Sequence, residues 1–285
     1  MIIHSYLILL PIGEIYLKKR EDVYVKVLVL MKQTFDTETK ISLDASGQID
    51  SAGVNYVVNP YCEFAVEEAL RIKERLGTGE VVVMSVGPEQ SETAIRSCLA
   101  MGADRGIIVT DPATEGGDEY ATAQVLAKAL QKEGFDMILA GFQAVDDGSG
   151  QVGARVAELL NIPQVTIITK LDIEGGKAVA TREIDDGVEL IEVPLPAIFT
   201  AQQGLAEPRY PSMKGIMQAK KKPLDRLTLA DLGMSAGEVG ANAAKVTVAA
   251  ISMPAARQAG KMLGGEPADA AVELVNLLHS EAKVI

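Results

Sequence analysis

Four short apolar runs, each followed by a helical pattern, constrain this chain more than anything else in it. Val23 to Met31, Val81-Val-Val-Met, Ile107-Ile-Val and Met137-Ile-Leu-Ala are rich in branched aliphatic residues and bounded by turn residues. That is how buried parallel strands read. Asn59-Pro60 opens a helix with Phe64, Ala65, Ala69, Leu70 and Ile72 on its apolar face, and Ala94 to Met101 and Tyr120 to Leu130 give two more. Such alternation predicts an α/β fold, a Rossmann-like parallel sheet with helices on both faces. Ligands of these sheets bind beyond the carboxyl ends of the strands, where strand order reverses. The loops after the first, second and fourth runs are expected to meet there. The first run continues as Lys32-Gln-Thr-Phe rather than Gly-x-Gly-x-x-Gly, which argues against a dinucleotide-binding dehydrogenase.

The fourth run leads into Gly141-Phe-Gln-Ala-Val-Asp-Asp-Gly-Ser-Gly-Gln-Val-Gly, after which Val152, Val156, Leu159 and Leu160 fall at helical spacing. A glycine-rich turn from a strand into a helix N-terminus can cradle a phosphate on backbone N–H groups. Gly148, Gly150 and Gly153 permit close approach, and Ser149 and Gln151 offer neutral hydrogen bonds. The plainer alternative is a connection in which Asp146 or Ser149 caps the next helix. Beside an anion, Asp146 and Asp147 must point away or accept from ribose hydroxyls.

After Pro163 the pattern changes. Val165-Thr-Ile-Ile, Ala178 to Ile184 and Val188 to Val193, separated by Glu174-Gly-Gly and Asp185-Asp-Gly, predict a small antiparallel addition. Ala197-Ile-Phe-Thr is a further strand. Residues 202–222 read as a loop punctuated by Pro208, Pro211 and Gly215, and 40–56 as a polar excursion. Lys245 to Ile251 is expected to add a strand, and Asp269 to Glu281 a closing helix.

Composition narrows the function. A net charge of −12 argues against a nucleic-acid partner, and the chain has only two cysteines, Cys62 and Cys98, and two histidines, His4 and His279. No metal-ligand or hydrolytic-triad pattern emerges, so metal ligands and catalytic residues are expected to be absent. No apolar run approaches membrane-spanning length. Tyr6 to Ile12 is apolar, but Lys18, Lys19 and Arg20 follow it, unlike a secretory signal. Residues 1–24 are read as a non-native or disordered leader from a start assigned too far upstream, with Val25 as the alternative start.

Several stretches, in order, carry a resemblance: Asn59-Pro-Tyr-Cys-Glu, Ala100-Met-Gly-Ala-Asp-Arg, Gly141 through Gly153, Arg182-Glu-Ile-Asp, Glu207-Pro-Arg-Tyr-Pro-Ser-Met and Ala219-Lys-Lys-Lys. From Val25 to Ile285 the chain resembles the β subunit of the electron transfer flavoproteins. The resemblance implies a sheet of the adenine-nucleotide α-hydrolase type and a heterodimer with an α subunit that carries most of the FAD contacts. It implies electrons accepted from flavin dehydrogenases, such as the acyl-CoA dehydrogenases of fatty acid β-oxidation, and passed to a membrane quinone oxidoreductase, with a cytoplasmic location and no membrane insertion.

By position, the resemblance puts AMP against Leu30, Asn59, Pro60, Tyr61, Cys62 and Val86. It adds the loop residues Gly141, Phe142, Gln143, Ala144, Val145, Asp146, Asp147, Gly148, Ser149, Gly150, Gln151 and Val152. It makes Tyr210, Pro211, Ser212, Met213, Lys214, Gly215, Ile216, Met217 and Lys220 a dehydrogenase-recognition loop, with Met213 its apolar anchor. Glu183 matches a carboxylate that influences the mobile flavin domain. Each has a plainer reading: Met213 as an exposed loop residue, Glu183 as a solvated strand residue.

Electron-bifurcating relatives bind a second FAD in place of AMP and tend to read Asp-Gly-Asp-Thr in the loop, where AMP-binding ones read Asp-Asp-Asp. Asp146-Asp-Gly-Ser-Gly-Gln-Val-Gly shares features of both, with AMP preferred. The alternative function is a nucleotide-binding or hydrolysing protein of similar fold, against which no Walker loop, nucleophile elbow or metal cluster is present. The expected division is a nucleotide-binding α/β domain over 25–205, then a recognition loop and an arm contacting the α subunit over 206–285.

Overall fold

A computed structural model describes residues 25–255 and 259–285. The leader, with His4, Val23 and the proposed start, lies outside the described residues apart from Val25 itself. Two compact units are formed, one from residues up to Lys40 with Ser51–Ala249, the other from Ile41–Asp50 with Ala250–Ile285.

In the first unit the order is β1 (Lys26–Leu30), β2 (Gln33–Phe35), β3 (Tyr56–Val58), α1 (Pro60–Leu76), β4 (Glu80–Val86), α2 (Glu92–Met101), β5 (Arg105–Val109), α3 (Glu119–Glu133), β6 (Met137–Gly141) and α4 (Val152–Leu160). It continues with β7 (Gln164–Glu174), β8 (Lys177–Ile184), β9 (Gly187–Pro194), β10 (Ile198–Ala201), α5 (Met213–Ala219), β11 (Leu224–Leu227) and α6 (Gly240–Ala243). Nine strands form one sheet in the order β11-β5-β4-β1-β6-β10-β7-β8-β9. It is parallel from β11 to β7, and β8 and β9 extend it antiparallel. The expected α/β class and antiparallel addition are both present.

The continuous apolar runs follow from burial on both sheet faces. Val27, Val29, Val81, Val83, Met137 and Leu139 pack into one core with α1 and α2. Their alternates Leu28, Leu30, Val82, Met84, Ile138 and Ala140 pack into a second core with α3 and α4. From β1 the chain builds outward to β4 and β5, then crosses back to β6 on the other side of β1. Strand order therefore reverses between β1 and β6, which opens a crevice at their carboxyl ends.

Several expectations need correction. Residues 202–222 contain α5, capped by Ser212, whose hydroxyl accepts from the Gly215 N–H at 3.0 Å. Lys245 to Ile251 forms no strand. Val246 and Val248 face solvent, and β-branched residues without a neighbouring strand do not make one. The N–H groups of Lys245 and Val246 instead bind the Asp118 carboxylate at 2.7 and 2.9 Å. The short antiparallel pair β2–β3 brackets the 40–56 excursion, and β11 supplies a sheet edge; neither feature is among the expected strands.

In the second unit, Asp44 turns the chain beside a bridge between Leu43 and Ile49. There α7 (Pro267–Leu277) ends in a π-helical turn over Leu278–Ala282, slightly offset from the expected helix. No helix among the described residues is long and apolar enough to cross a membrane.

Candidate functional site

A cleft of about 270 Å³ occupies the crevice at the β1/β6 reversal. Its floor comes from strand ends: Leu30, Met31 and Lys32 after β1, Met84 and Val86 of β4, Ala140 and Gly141 of β6. One wall is the glycine-rich loop running into α4 and the other is the start of α3.

The loop's path depends on two close approaches. A Cβ at Gly141 would lie 2.9 Å from the backbone of Tyr61 and Cys62, so only glycine lets β6 pass α1. Gly150 has φ +62°, and a Cβ there would stand 3.3 Å from the Phe142 carbonyl oxygen. Asn59 then fastens the loop to α1. Its Nδ2 donates to the Gln143 carbonyl at 2.8 Å, and its Oδ1 accepts from the Val145 N–H at 3.1 Å. Asn59 therefore spends its side chain on the loop instead of capping α1. Phe142 packs edge-on against Tyr61, ring centroids 4.6 Å apart.

Neither Asp146 nor Ser149 caps α4, whose N-cap is Gln151 without a side-chain bond. Asp147 turns back to accept from the Ser149 N–H at 2.9 Å. The first N–H groups of α4 have no intrahelical acceptor, and Gln151, Val152 and Gly153 line the cleft. They form a neutral donor set suited to a phosphate.

Lys32 resolves the awkward acidic pair. Its ammonium binds Asp146 at 2.9 Å and Asp147 at 2.6 Å, so both carboxylates are held on one cation across the cleft mouth and the trio keeps a single net negative charge. Burial opposes its charge, but the two carboxylates hold the Lys32 pKa above its ordinary value. Burial also works against the Asp147 charge, and the Lys32 contact and the Ser149 N–H overcome it, holding that carboxyl below its ordinary value. Cys62, buried at the cleft, has its thiol pushed up by burial and is a poor nucleophile.

Of the residues named from sequence, Leu30, Asn59, Cys62, Val86, Gly141, Phe142, Gln143, Ala144, Asp147, Ser149, Gly150, Gln151 and Val152 come together on the cleft. Pro60, Tyr61, Val145, Asp146 and Gly148 stand behind or beside it. Pro60 starts α1, Gly148 is an exposed turn at φ +65°, and the others support the loop as described. Sequence reasoning missed Lys32 and the wall at Gly117, Asp118, Glu119 and Thr122. The signal for both was the carboxyl-end rule, since they follow β1 and β5. The Asp118 carboxylate is held below its ordinary pKa: burial opposes ionisation, and the Ala121, Lys245 and Val246 N–H groups outweigh it.

The remaining named residues lie elsewhere. Tyr210 and Met213, 97% and 77% exposed, flank the start of α5 with Pro211, Ser212 and Lys214, and Ile216, Met217 and Lys220 are exposed further along. Gly215 packs inward. Glu183 is exposed on β8 opposite Val188 of β9. Among the described residues no group of three or more His, Cys, Asp or Glu is arranged to hold a metal ion.

A model of the electron transfer flavoprotein domain matches residues 46–232. A Bacillus subtilis (strain 168) protein named electron transfer flavoprotein subunit beta is 47% identical over 262 residues, covering 92% of this chain and 100% of that protein. Its namesake from Syntrophomonas wolfei is 47% identical over 260 residues, covering 91% and 98%. That from Sus scrofa is 41% identical over 240 residues, covering 83% and 91%.

Proposed function

The chain belongs to the electron transfer flavoprotein β-subunit family, an electron-carrier rather than an enzyme family, and from that premise we propose that it pairs with an α subunit and holds AMP in the β1/β6 cleft. The observation that carries this reading is the neutral donor set of the glycine-rich loop and α4 N-terminus, with Lys32 sequestering the two loop carboxylates. The cleft is about 270 Å³, just below the roughly 300–1,000 Å³ usual for ligand sites, and it is the Asp146-Asp147 pair of the loop that favours AMP over a second FAD as its occupant. Bound there, AMP would have a structural role, held by the carboxyl ends of β1, β4 and β6 and by the α4 N-terminus.

FAD, held mainly by the α subunit, would supply the redox chemistry by taking up and releasing electrons. This chain's part is to position that subunit and to meet the electron donor. The exposed Tyr210, Met213 and Met217 support docking to flavin dehydrogenases, acyl-CoA dehydrogenases of fatty acid β-oxidation among them. Delivery to a membrane quinone oxidoreductase, a cytoplasmic location, the influence of Glu183 on the flavin domain and an arm beyond 206 that contacts the α subunit belong to the same proposal.

Co-expression with an α subunit tests it. A yellow heterodimer reduced by a flavin dehydrogenase is expected. A colourless homodimer that hydrolyses ATP would replace this reading with that of a nucleotide hydrolase.

A further inference from the structure

The segment 207–222 carries exposed apolar side chains on a helix of seven residues, too short to be stable alone. Its backbone is nevertheless tied down at both ends. On the far side, Arg96 donates to the carbonyls of Ala219 and Lys222, each at 2.8 Å. Lys222 donates to the carbonyls of Leu99 and Ala103 at 2.9 and 2.6 Å. Between the ends, Gly215 lies so close to α2 that a Cβ would fall 2.4 Å from the Ala100 carbonyl oxygen.

The near side is built differently, around a buried charge. The Glu67 side chain on α1 is 3% exposed and accepts from the Arg209 backbone N–H at 3.2 Å, Nε at 2.8 Å and a terminal guanidinium nitrogen at 3.0 Å. Arg71 adds a 2.8 Å bond to Glu67 and donates to the Glu207 carbonyl at 3.0 Å. The other guanidinium nitrogen of Arg209 binds Glu74 at 2.5 Å. Burying a carboxylate is costly unless it is paired and hydrogen-bonded. Three of these four bonds to Glu67 come from Arg209, so what the buried charge fixes is the path of the chain one residue before Tyr210.

We propose that Glu67 and Arg209 are positioning residues that pre-set the Tyr210–Lys220 segment for its electron-donating partner. The inference rests on the docking role proposed above for that segment. A partner that meets an ordered segment avoids the cost of ordering it on binding. The clamp therefore acts on the concentration needed for docking and leaves the rate at saturation alone.

The test uses the full heterodimer with Glu67→Gln, Arg209→Gln, Arg209→Lys and Met213→Ala. Amide hydrogen exchange over 210–220 reports the order of the segment. Half-saturation and maximal rate of reduction by a flavin dehydrogenase report docking. Glu67→Gln and Arg209→Gln are expected to speed exchange there and raise half-saturation about tenfold, with maximal rate, flavin and nucleotide contents unchanged. Arg209→Lys should recover part of both effects. If Glu67→Gln melts early, the two Arg209 variants, altered at the loop rather than in α1, carry the test. Unchanged exchange in Arg209→Gln overturns the proposal, and so does faster exchange with unchanged half-saturation while Met213→Ala weakens docking. In both cases the docking reading stands as long as Met213→Ala weakens docking. If Met213→Ala also leaves half-saturation unchanged, the docking reading falls and this inference with it.

Discussion

Asn59 and Gln143, far apart in sequence, are joined by a 2.8 Å hydrogen bond from the Asn59 amide to the Gln143 carbonyl oxygen. The same side chain accepts from the Val145 N–H at 3.1 Å, so one buried asparagine sets the entry of the glycine-rich loop. Neither partner alone explains the cleft. Gly141 lets β6 pass close to α1, and Asn59 uses that proximity to hold the loop open.

Asn59→Ala should destabilise the protein by about 1–3 kcal/mol, because it strands a donor and an acceptor in the loop. Nucleotide should also dissociate faster. Urea unfolding and nucleotide release, measured on the same preparation, check both. Wild-type stability would mean that water replaces the amide and that the loop does not need it.

Gly150→Arg should abolish nucleotide retention in this subunit while affecting α-bound FAD less. The backbone sits at φ +62°, which costs a side chain roughly 1–3 kcal/mol, and the added atoms start 3.3 Å from the Phe142 carbonyl. Nucleotide released by acid from purified heterodimer is the measurement. Wild-type content would remove the loop from the site.

The Lys32 bridge sets a pH window. Asp147 has its folded pKa below 3.8, so its contribution is present above that value and is lost as pH falls through the folded pKa. Lys32 has its folded pKa above 10.5, so its contribution is full below that value and is lost as pH rises through the folded pKa. Nucleotide retention should therefore be flat from about pH 5 to 9 as far as this bridge governs it. Equilibrium dialysis across that range checks the expectation, and a transition between pH 6 and 8 would assign control to another group.

Much of this was legible in the sequence. The four apolar runs gave the sheet because strands buried on both faces cannot hide their composition, and the Gly141–Gly153 stretch marked the crevice because its glycines are demanded by geometry. What stayed hidden depends on contacts between distant segments. Lys32 looks like any polar residue after a strand until Asp146 and Asp147 are brought to it. The strands β2, β3 and β11 are three or four residues long and, unlike the equally short β10, are not buried throughout, so no continuous apolar run marks them. Pro208, Pro211 and Gly215 made the segment around α5 read as loop, and Gly215 is there for the approach to Ala100.

Met213→Ala should raise the concentration of heterodimer that half-saturates a flavin dehydrogenase. Burying one such side chain contributes roughly 1.5–3 kcal/mol, which corresponds to about 10- to 150-fold. Flavin spectrum, nucleotide content and thermal stability should stay nearly unchanged, because the side chain is 77% exposed and outside both cores. Steady-state reduction alongside dithionite reduction separates docking from redox competence. Unchanged half-saturation would remove Met213 as the anchor, and early melting would make it structural.

The central claim is that the β1/β6 cleft holds a mononucleotide while the flavin belongs to the α subunit. The most direct test is to count both ligands in the purified heterodimer, with flavin measured by absorbance and adenine nucleotides by chromatography after acid release. The account predicts one FAD and one AMP per heterodimer, with the AMP alone missing from the Gly150→Arg variant. Two FAD and no AMP would contradict it.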